Sequence, residues 1–114
     1  MGGKNKVFDL ENRTACFAKR TRDFCKSFKK DFVDLEYLKQ LTRSSASVGA
    51  NYIEANESLS RKDYLMRVKI CKKEVKETIY WLELLENKQS DTDYLKSEAK
   101  ELMKIFGAII EKCK

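Results

Sequence analysis

The 114-residue chain contains no histidine and no proline, and only four glycines, two of which are Gly2 and Gly3. Proline and glycine interrupt helices most often, so their scarcity favours an almost wholly helical protein. Because there is neither a histidine nor a CxxC spacing, the usual zinc sites lack a ligand set, and the histidine-containing di-iron site of helical bundles lacks its histidines. No apolar run approaches the roughly 18 residues that a membrane span needs, and residues 1–10 lack the apolar core of a signal peptide. We therefore expect a cytoplasmic protein with no membrane association, metal or cofactor.

Sequence motifs of catalytic sites are also missing. There is no glycine-rich phosphate loop, no nucleophile elbow and no pairing of cysteine with histidine. Glu74 and Glu77 lie one turn apart on a predicted helix, but lysines such as Lys73 and Lys76 lie nearby. This pattern favours ion pairs on an outward surface over an acid–base pair in a pocket. We expect that the protein is not an enzyme.

The four cysteines have no CxxC spacing: they are Cys16, Cys25, Cys71 and Cys113. A disulfide framework would suit a secreted chain, and no signal for secretion is present. Because Cys25, Cys71 and Cys113 lie on apolar stripes, we interpret them as small hydrophobic residues that stay reduced in the core.

Hydrophobic residues make up 42% of the chain and charged residues 37%, in a periodic pattern. In four segments apolar or small residues recur at alternating gaps of three and four, as on one side of an amphipathic helix. These positions are Leu10, Thr14, Phe17, Thr21, Phe24 and Phe28; Leu38, Leu41, Ser45, Val48, Tyr52, Ala55 and Leu59; Tyr64, Val68, Cys71, Val75, Thr78, Leu82 and Leu85; and Leu95, Ala99, Leu102, Phe106, Ile109 and Cys113. An adjoining stripe of the first segment contains Ala18, Cys25 and Phe32. We predict an all-α, antiparallel up-down-up-down four-helix bundle forming one domain, residues 1–114.

Polar residues predict the helix ends. Residues 1–8 are expected to be a loose end, with Asp9 as the first N-cap. Acidic residues break the periodicity between Lys30 and Leu38, where a short connection fits. Ser60 and Asp63 have the spacing of a capping box, so a helix is expected to start there and to reach about residue 87. The polar residues 88–92 suit a turn and an N-cap.

The second predicted helix is distinguished by small residues at its centre, from Ser44 to Ala50. Gly49 lies among them, although a glycine inside a helix costs about 1 kcal/mol relative to alanine. Close packing of two backbones would compensate, either inside the subunit or against another chain.

The net charge is +6, and its positive part is concentrated in two of the predicted helices. Residues 9–30 contain seven basic and three acidic residues, and residues 61–76 contain seven and two. A solvated surface explains such faces, but so does contact with phosphates. The candidate nucleic-acid-binding residues are Lys19, Arg22, Lys26 and Lys29 on the first helix, and Lys62, Lys69, Lys73 and Lys76 on the third.

Two pairs of residues, one polar and one aromatic, lie beside the predicted apolar stripes. Asn51 and Glu54 border the small residues, so they either form a hydrogen-bonded pair that fixes helix register or a subunit contact, or they contact a partner. Tyr80 and Trp81 are adjacent and lie about 100° apart on a helix, so both cannot face one seam. We expect one to enter the core and the other to meet a subunit or the solvent. With Gly49, these are the candidate packing and oligomer residues.

The segment from Ser44 to Leu85 resembles the bacterial four-helix bundle protein family, which includes proteins encoded in intervening sequences of large-subunit ribosomal RNA genes and accessory proteins of diversity-generating retroelements. The similar motifs are Ser47-Val48-Gly49-Ala50-Asn51, Glu54-Ala55, Ser60-x-x-Asp63-Tyr64 and Lys73-Glu74-x-x-Glu77-Thr78-x-Tyr80-Trp81-Leu82. Many members follow Ala-Asn with Ile-Ala-Glu-Gly, where this chain has Tyr52-Ile53-Glu54-Ala55.

This resemblance implies a left-handed four-helix bundle that assembles into a ring, a homopentamer, without catalytic activity. For the retroelement members it implies binding of nucleic acid through a basic surface and of a reverse transcriptase. Two hypotheses follow for this chain. One is a non-specific RNA- or DNA-binding oligomer, and the other is a protein-interaction scaffold whose positive charge complements an acidic partner.

Overall fold

Four helices in antiparallel succession form the bundle. The computed structural model describes residues 6–28, 30–85 and 91–114, and no strand occurs in them. The helices are α1 (Lys6–Ser27), α2 (Phe32–Asn56), α3 (Arg61–Leu85) and α4 (Asp91–Lys112). Each packs on its neighbours in the chain, and α1 closes the bundle against α4. The all-α four-helix prediction is confirmed.

The core is built from the predicted periodic positions. All six positions of the first stripe are buried, including Phe28 just beyond the end of α1. In α3 the stripe is buried from Val68 to Leu85, while Tyr64 is half-buried. In α4 Ile110 is buried in place of the predicted Ile109, which is half-buried. The gaps of three and four therefore predicted most of the core, because they follow the 3.6-residue turn.

Two predicted core positions are wrong. Leu59 is 99% exposed, because α2 ends at Asn56 and the chain turns before Leu59 is reached. Phe32 is 83% exposed, because it begins α2 and does not continue the stripe of α1. In both cases the apolar pattern runs past the end of the helix that it described.

The acidic residues that follow α1 belong to the start of α2 and are not part of a longer loop between the two helices. Asp31 is the N-cap of α2: its Oδ1 accepts a hydrogen bond from the backbone N–H of Asp34 at 2.8 Å. The carboxylate of Asp34 accepts in return from the Asp31 N–H at 3.4 Å. This capping box lets α2 begin at Phe32, six residues before Leu38, where a connection was predicted.

The other predicted ends have different outcomes. Helix α1 begins at Lys6, so Asp9 lies inside the helix and is not its N-cap. The hydroxyl of Ser60 accepts a hydrogen bond from the Asp63 N–H at 3.0 Å, which confirms the predicted start of α3. Of the predicted turn and N-cap at residues 88–92, residues 88–90 lie outside the described residues, and Asp91 and Thr92 are the first two residues of α4.

The small residues of α2 serve two purposes. Ser44 and Ser45 are buried, and Ser44 shares a 2.8 Å hydrogen bond with Thr78 of α3. Gly49 faces α1, where an added Cβ would lie 3.0 Å from Oγ1 of Thr14 and 3.4 Å from its Cβ. The close approach that Gly49 permits is therefore between α1 and α2 of one subunit.

Candidate nucleic-acid interface

A row of exposed side chains runs along α3 on the face opposite its buried positions. Spaced alternately by four and three residues, its members share one side of the helix. Met66 is 51% exposed and Tyr80 is 54% exposed, and every lysine of the row is exposed. We call this the α3 row: Lys62, Met66, Lys69, Lys73, Lys76 and Tyr80. It places the four predicted α3 lysines together, with no acidic residue among its members.

The basic residues of α1 form a second exposed surface, the α1 face, consisting of Lys19, Arg22 and Lys26. Lys19 and Arg22 line a groove of about 230 Å³ between α1 and α2. Arg22 also pairs with Asp23, with Nε and Oδ1 3.0 Å apart. The fourth predicted residue of this surface, Lys29, lies outside the described residues.

The α3 row and the α1 face lie on opposite sides of the subunit. In the described part of the chain α1 packs on α2 and α4 and has no contact with α3, so the two helices are diagonal. Each basic surface lies on the side of its helix that faces away from the core. A single subunit therefore presents two separate positive surfaces, and the predicted basic residues are not brought together into one.

Glu74 is buried, contrary to the prediction of a surface ion pair: its residue exposure is 7%. Its Oε2 lies 4.0 Å from Nζ of Lys73, and its Oε1 lies 3.9 Å from Nη1 of Arg43 in α2. Oε1 is buried and accepts no hydrogen bond from the described residues. Glu77 pairs with Arg43 as well, at 3.2 Å, and with no lysine among the described residues. Ion pairing is therefore present at both glutamates, but the predicted surface location of Glu74 is wrong because this residue borders the face of α3 that packs on α2.

Two further aromatic rings, those of Trp81 and Tyr37, lie beside Tyr80 at the end of the α3 row. Trp81 is half-buried and stacks on Tyr37 of α2, with ring centroids 6.1 Å apart. Tyr80 is exposed and meets Trp81 edge to face, with centroids 5.0 Å apart and planes inclined by 63°. Nε1 of Trp81 is buried and donates no hydrogen bond within the described structure. Of the predicted pair, Trp81 thus turns inward and Tyr80 outward.

Asn51 of α2 forms a hydrogen bond with a residue of α3 that was not predicted as its partner. Its Oδ1 accepts a hydrogen bond from Nη1 of Arg67 in α3 at 3.2 Å, and its Nδ2 donates to the carbonyl of Ser47 at 2.9 Å. Glu54 is exposed and is not the partner of Asn51 in the described structure. The described structure therefore does not contain the predicted pair of Asn51 and Glu54, and Asn51 instead links α2 to α3 through Arg67.

Sequence reasoning also missed the polar contacts between α1 and α4. Arg13 donates two hydrogen bonds to Glu98, at 2.6 and 2.9 Å, and its hydrogen bond to that carboxylate raises the pKa of Arg13. The guanidinium of Arg20 lies 4.1 Å above the ring centre of Tyr94. Charge type and spacing give no signal for pairs that are far apart in sequence, so neither contact was predictable.

The cysteines are free thiols in different environments. Cys71 is fully buried, and burial raises its pKa to about 12. Cys25 and Cys113 are half-buried, less enclosed than predicted, and burial raises the pKa of Cys25. Cys16 is exposed.

Within the described residues no group of three or more cysteine, aspartate and glutamate side chains is arranged to hold a metal ion. None of the described helices is sufficiently long and apolar to cross a membrane.

Together these features define the class of protein: an all-α four-helix bundle with separate basic surfaces on two diagonal helices. A family model described as 23S rRNA-intervening sequence protein matches residues 8–111. The chain therefore belongs to the 23S rRNA-intervening sequence protein family.

A solved structure supports the fold. The chain is similar to a protein of unknown function from the S23 ribosomal protein family of Bacteroides thetaiotaomicron VPI-5482, with 32% sequence identity and a TM-score of 0.82. The match covers 94% of this chain and 99% of the other. No curated protein matches the chain.

Proposed function

We propose that this protein is a non-enzymatic, oligomeric helical bundle that binds RNA or DNA without base specificity through the basic faces of α1 and α3. The observation that carries the proposal is the α3 row, in which every charged member is an exposed lysine. Lysine ammonium groups bind phosphates as point charges, and such contacts do not distinguish one base sequence from another. The proposal includes a cytoplasmic location. It excludes catalysis because the chain has no histidine and no nucleophile or phosphate-loop motif.

Salt dependence tests the binding. Phosphate contacts release counterions, so affinity for a duplex is expected to fall steeply with salt and to vary little with sequence. The variant Lys69→Glu, Lys73→Glu, Lys76→Glu should bind more weakly, and the slope of log affinity against log salt should become shallower by roughly 2 to 3. The measurement is the electrophoretic mobility of short RNA and DNA duplexes across a salt series.

A variant with the same change in net charge distinguishes binding at the α3 row from a general effect of net charge. Lys100, Lys104 and Lys112 are exposed on α4, so changing all three to Glu alters the net charge equally. This control is expected to retain most of the binding and the salt slope. Equal loss in both triple variants, or wild-type binding by the α3 variant, would contradict a site on the α3 row.

The α1 face is tested separately because the two surfaces point in opposite directions. Changing Lys19, Arg22 and Lys26 to Glu is expected to reduce binding, because all three side chains are exposed. Undiminished binding by this variant would restrict the nucleic-acid surface to α3.

Exposed apolar residues support self-association. Phe32, Val33 and Leu35 are exposed near the start of α2, whereas Ile53, Leu59 and Met66 are exposed near its end. Leu59 and Met66 line a shallow groove of about 310 Å³ that also contains Glu54. Exposed apolar clusters mark interaction surfaces, and a closed ring needs two different surfaces on each subunit. The family resemblance makes the proposed ring a homopentamer.

Light scattering tests this assembly. A pentamer of the 13.4 kDa subunit has a mass of about 67 kDa. We expect Phe32→Glu and Leu59→Glu each to lower the mass, because each removes one side of the contact, while the helical circular dichroism is retained. Tyr94→Glu, at a 44% exposed position on α4, is the control and should keep the wild-type mass. A wild-type mass in both α2 variants would contradict an interface at the ends of α2.

A protein-interaction scaffold is the second candidate, and the same exposed apolar residues favour it. In this case an acidic, partly apolar protein binds the ring, and a reverse transcriptase is the partner that the family resemblance suggests. Affinity capture with and without nuclease distinguishes the two functions. Loss of all partners after nuclease supports nucleic-acid binding, whereas an unchanged protein partner supports the scaffold.

A further inference from the structure

Tyr80 is the aromatic member of the α3 row and continues its lysine spacing. Lys69, Lys73, Lys76 and Tyr80 follow one another at gaps of four, three and four residues, so all four lie on one side of α3. At 1.5 Å of rise per residue, Tyr80 lies about 6 Å beyond Lys76 along the helix axis. An exposed phenol ring therefore stands at the end of a line of ammonium groups.

The ring of Tyr80 contacts a neighbouring aromatic ring. Trp81 meets it edge to face at 5.0 Å, and Trp81 itself stacks on Tyr37 of α2. Tyr80 nevertheless remains 54% exposed, so part of its surface is open to a ligand. An exposed aromatic ring beside cations is the arrangement that binds unpaired bases together with their phosphates.

We propose that the ligand of the α3 row is single-stranded RNA or DNA, whose phosphates lie along Lys69, Lys73 and Lys76 and one of whose bases stacks on Tyr80. This inference rests on the proposed nucleic-acid binding and specifies its substrate class. A duplex offers phosphates to the lysines, but its bases are already stacked on one another. Away from the ends of a duplex, only an unpaired base has a face free to receive the ring of Tyr80.

The test compares strands with duplexes at one salt concentration. The probes are an RNA strand and a DNA strand of about 12 nucleotides, and the duplex of each. Tyr80→Ala is expected to weaken binding of the single strands roughly 5- to 150-fold, the range for loss of one stacked base, and to change duplex binding less than about twofold. Tyr80→Phe retains the ring and should bind as the wild type does.

Two controls accompany these variants. Tyr94→Ala removes another exposed tyrosine, on α4 and outside the α3 row, and should leave single-strand binding unchanged. Trp81 is the only tryptophan, so its fluorescence reports on the neighbouring Tyr80. Addition of a single strand should change this fluorescence more than addition of the duplex does.

The outcomes separate this inference from the proposed function. If the triple lysine variant loses binding but Tyr80→Ala does not, the phosphate surface stands and stacking on Tyr80 is overturned. Equal weakening of strand and duplex by Tyr80→Ala also overturns it, as does a change in oligomer mass, which would make Tyr80 a subunit contact. If the wild-type protein binds no nucleic acid, the proposed function itself fails.

Discussion

Gly49 sets the distance between α1 and α2. In Gly49→Ala the new methyl group would lie 3.0 Å from Oγ1 of Thr14, which already donates to the carbonyls of Leu10 and Glu11. Overpacking of this kind costs about 1–3 kcal/mol and should outweigh the roughly 1 kcal/mol gained in helix propensity. We expect urea denaturation to show a net loss of about 1 kcal/mol.

The partner variant Thr14→Ala provides the control for this prediction. It removes Oγ1 and leaves Cβ, which lies 3.4 Å from the added methyl group. In that background Gly49→Ala should become stabilising, because the propensity gain remains while the clash is removed. The same destabilisation in both backgrounds would show that Thr14 does not restrict the Gly49 position.

At the residue scale the sequence predicted which side chains enter the core but not which polar groups pair. Apolar burial follows helical period, so positions such as Phe17 and Val75 could be read directly. Arg43 and Arg67 pair with residues of a neighbouring helix, and their partners depend on helix register, which spacing within one helix does not specify. Glu74 was misplaced for the same reason.

At the scale of elements, the connection between α1 and α2 depends on Asp31. Loss of an N-cap costs about 0.5–2 kcal/mol, and here the Asp31 N–H also donates the reciprocal hydrogen bond to the Asp34 carboxylate. Asp31→Ala is expected to lower the free energy of unfolding by about 1 kcal/mol, measured by urea denaturation. Asp31→Asn retains an acceptor and should lose less. Equal losses in both variants would indicate that charge matters more than the cap.

The helix centres were predictable from the sequence and their ends were less so. Four periodic stripes identified the four helices because each needs one apolar side in the core. The acidic residues after Lys30 had two possible meanings, interruption or capping, and only the backbone geometry at Asp31 distinguishes them. Ser60 was predicted correctly because its acceptor spacing is specific.

At the scale of the whole molecule, two buried side chains that ionise at high pH, Tyr52 and Cys71, predict a lower free energy of unfolding in alkaline solution. Burial raises the pKa of Tyr52 to about 12 and that of Cys71 to about 12 from ordinary values of 10 and 9. Above pH 9 the unfolded chain therefore releases protons that the folded chain keeps. The free energy of unfolding should be unaffected by these groups below about pH 9. It should fall between pH 9 and 12 because of Cys71 and between pH 10 and 12 because of Tyr52, by up to about 1.4 kcal/mol per pH unit for each group.

Urea denaturation at a series of pH values measures this slope. The variant Tyr52→Phe, Cys71→Ala removes both titrating groups and should have a flatter profile above pH 9, even if it is less stable at neutral pH. A slope unchanged by the double substitution would assign the alkaline weakening to other groups.

The arrangement of the candidate surface needed the assembled bundle. The lysine spacing of the α3 row could be read from the sequence, as could the basic character of α1. That the two surfaces face apart follows from the diagonal placement of α1 and α3, a property of all four helices together. The surroundings of Tyr80 likewise involve another helix, because Trp81, which contacts Tyr80, stacks on Tyr37 of α2.

The packing of α1 against α4 is the sparsest of the helix interfaces in the described structure, and its salt bridge from Arg13 to Glu98 lies near the surface. Local opening of a native protein begins where the fewest buried groups must separate. Because α1 also packs less extensively on α2 than α4 does on α3, the partly unfolded form of lowest energy should have α1 detached, with Phe17 and Phe24 in water and α2 to α4 still associated. This is the species that a protease or a chaperone would encounter first.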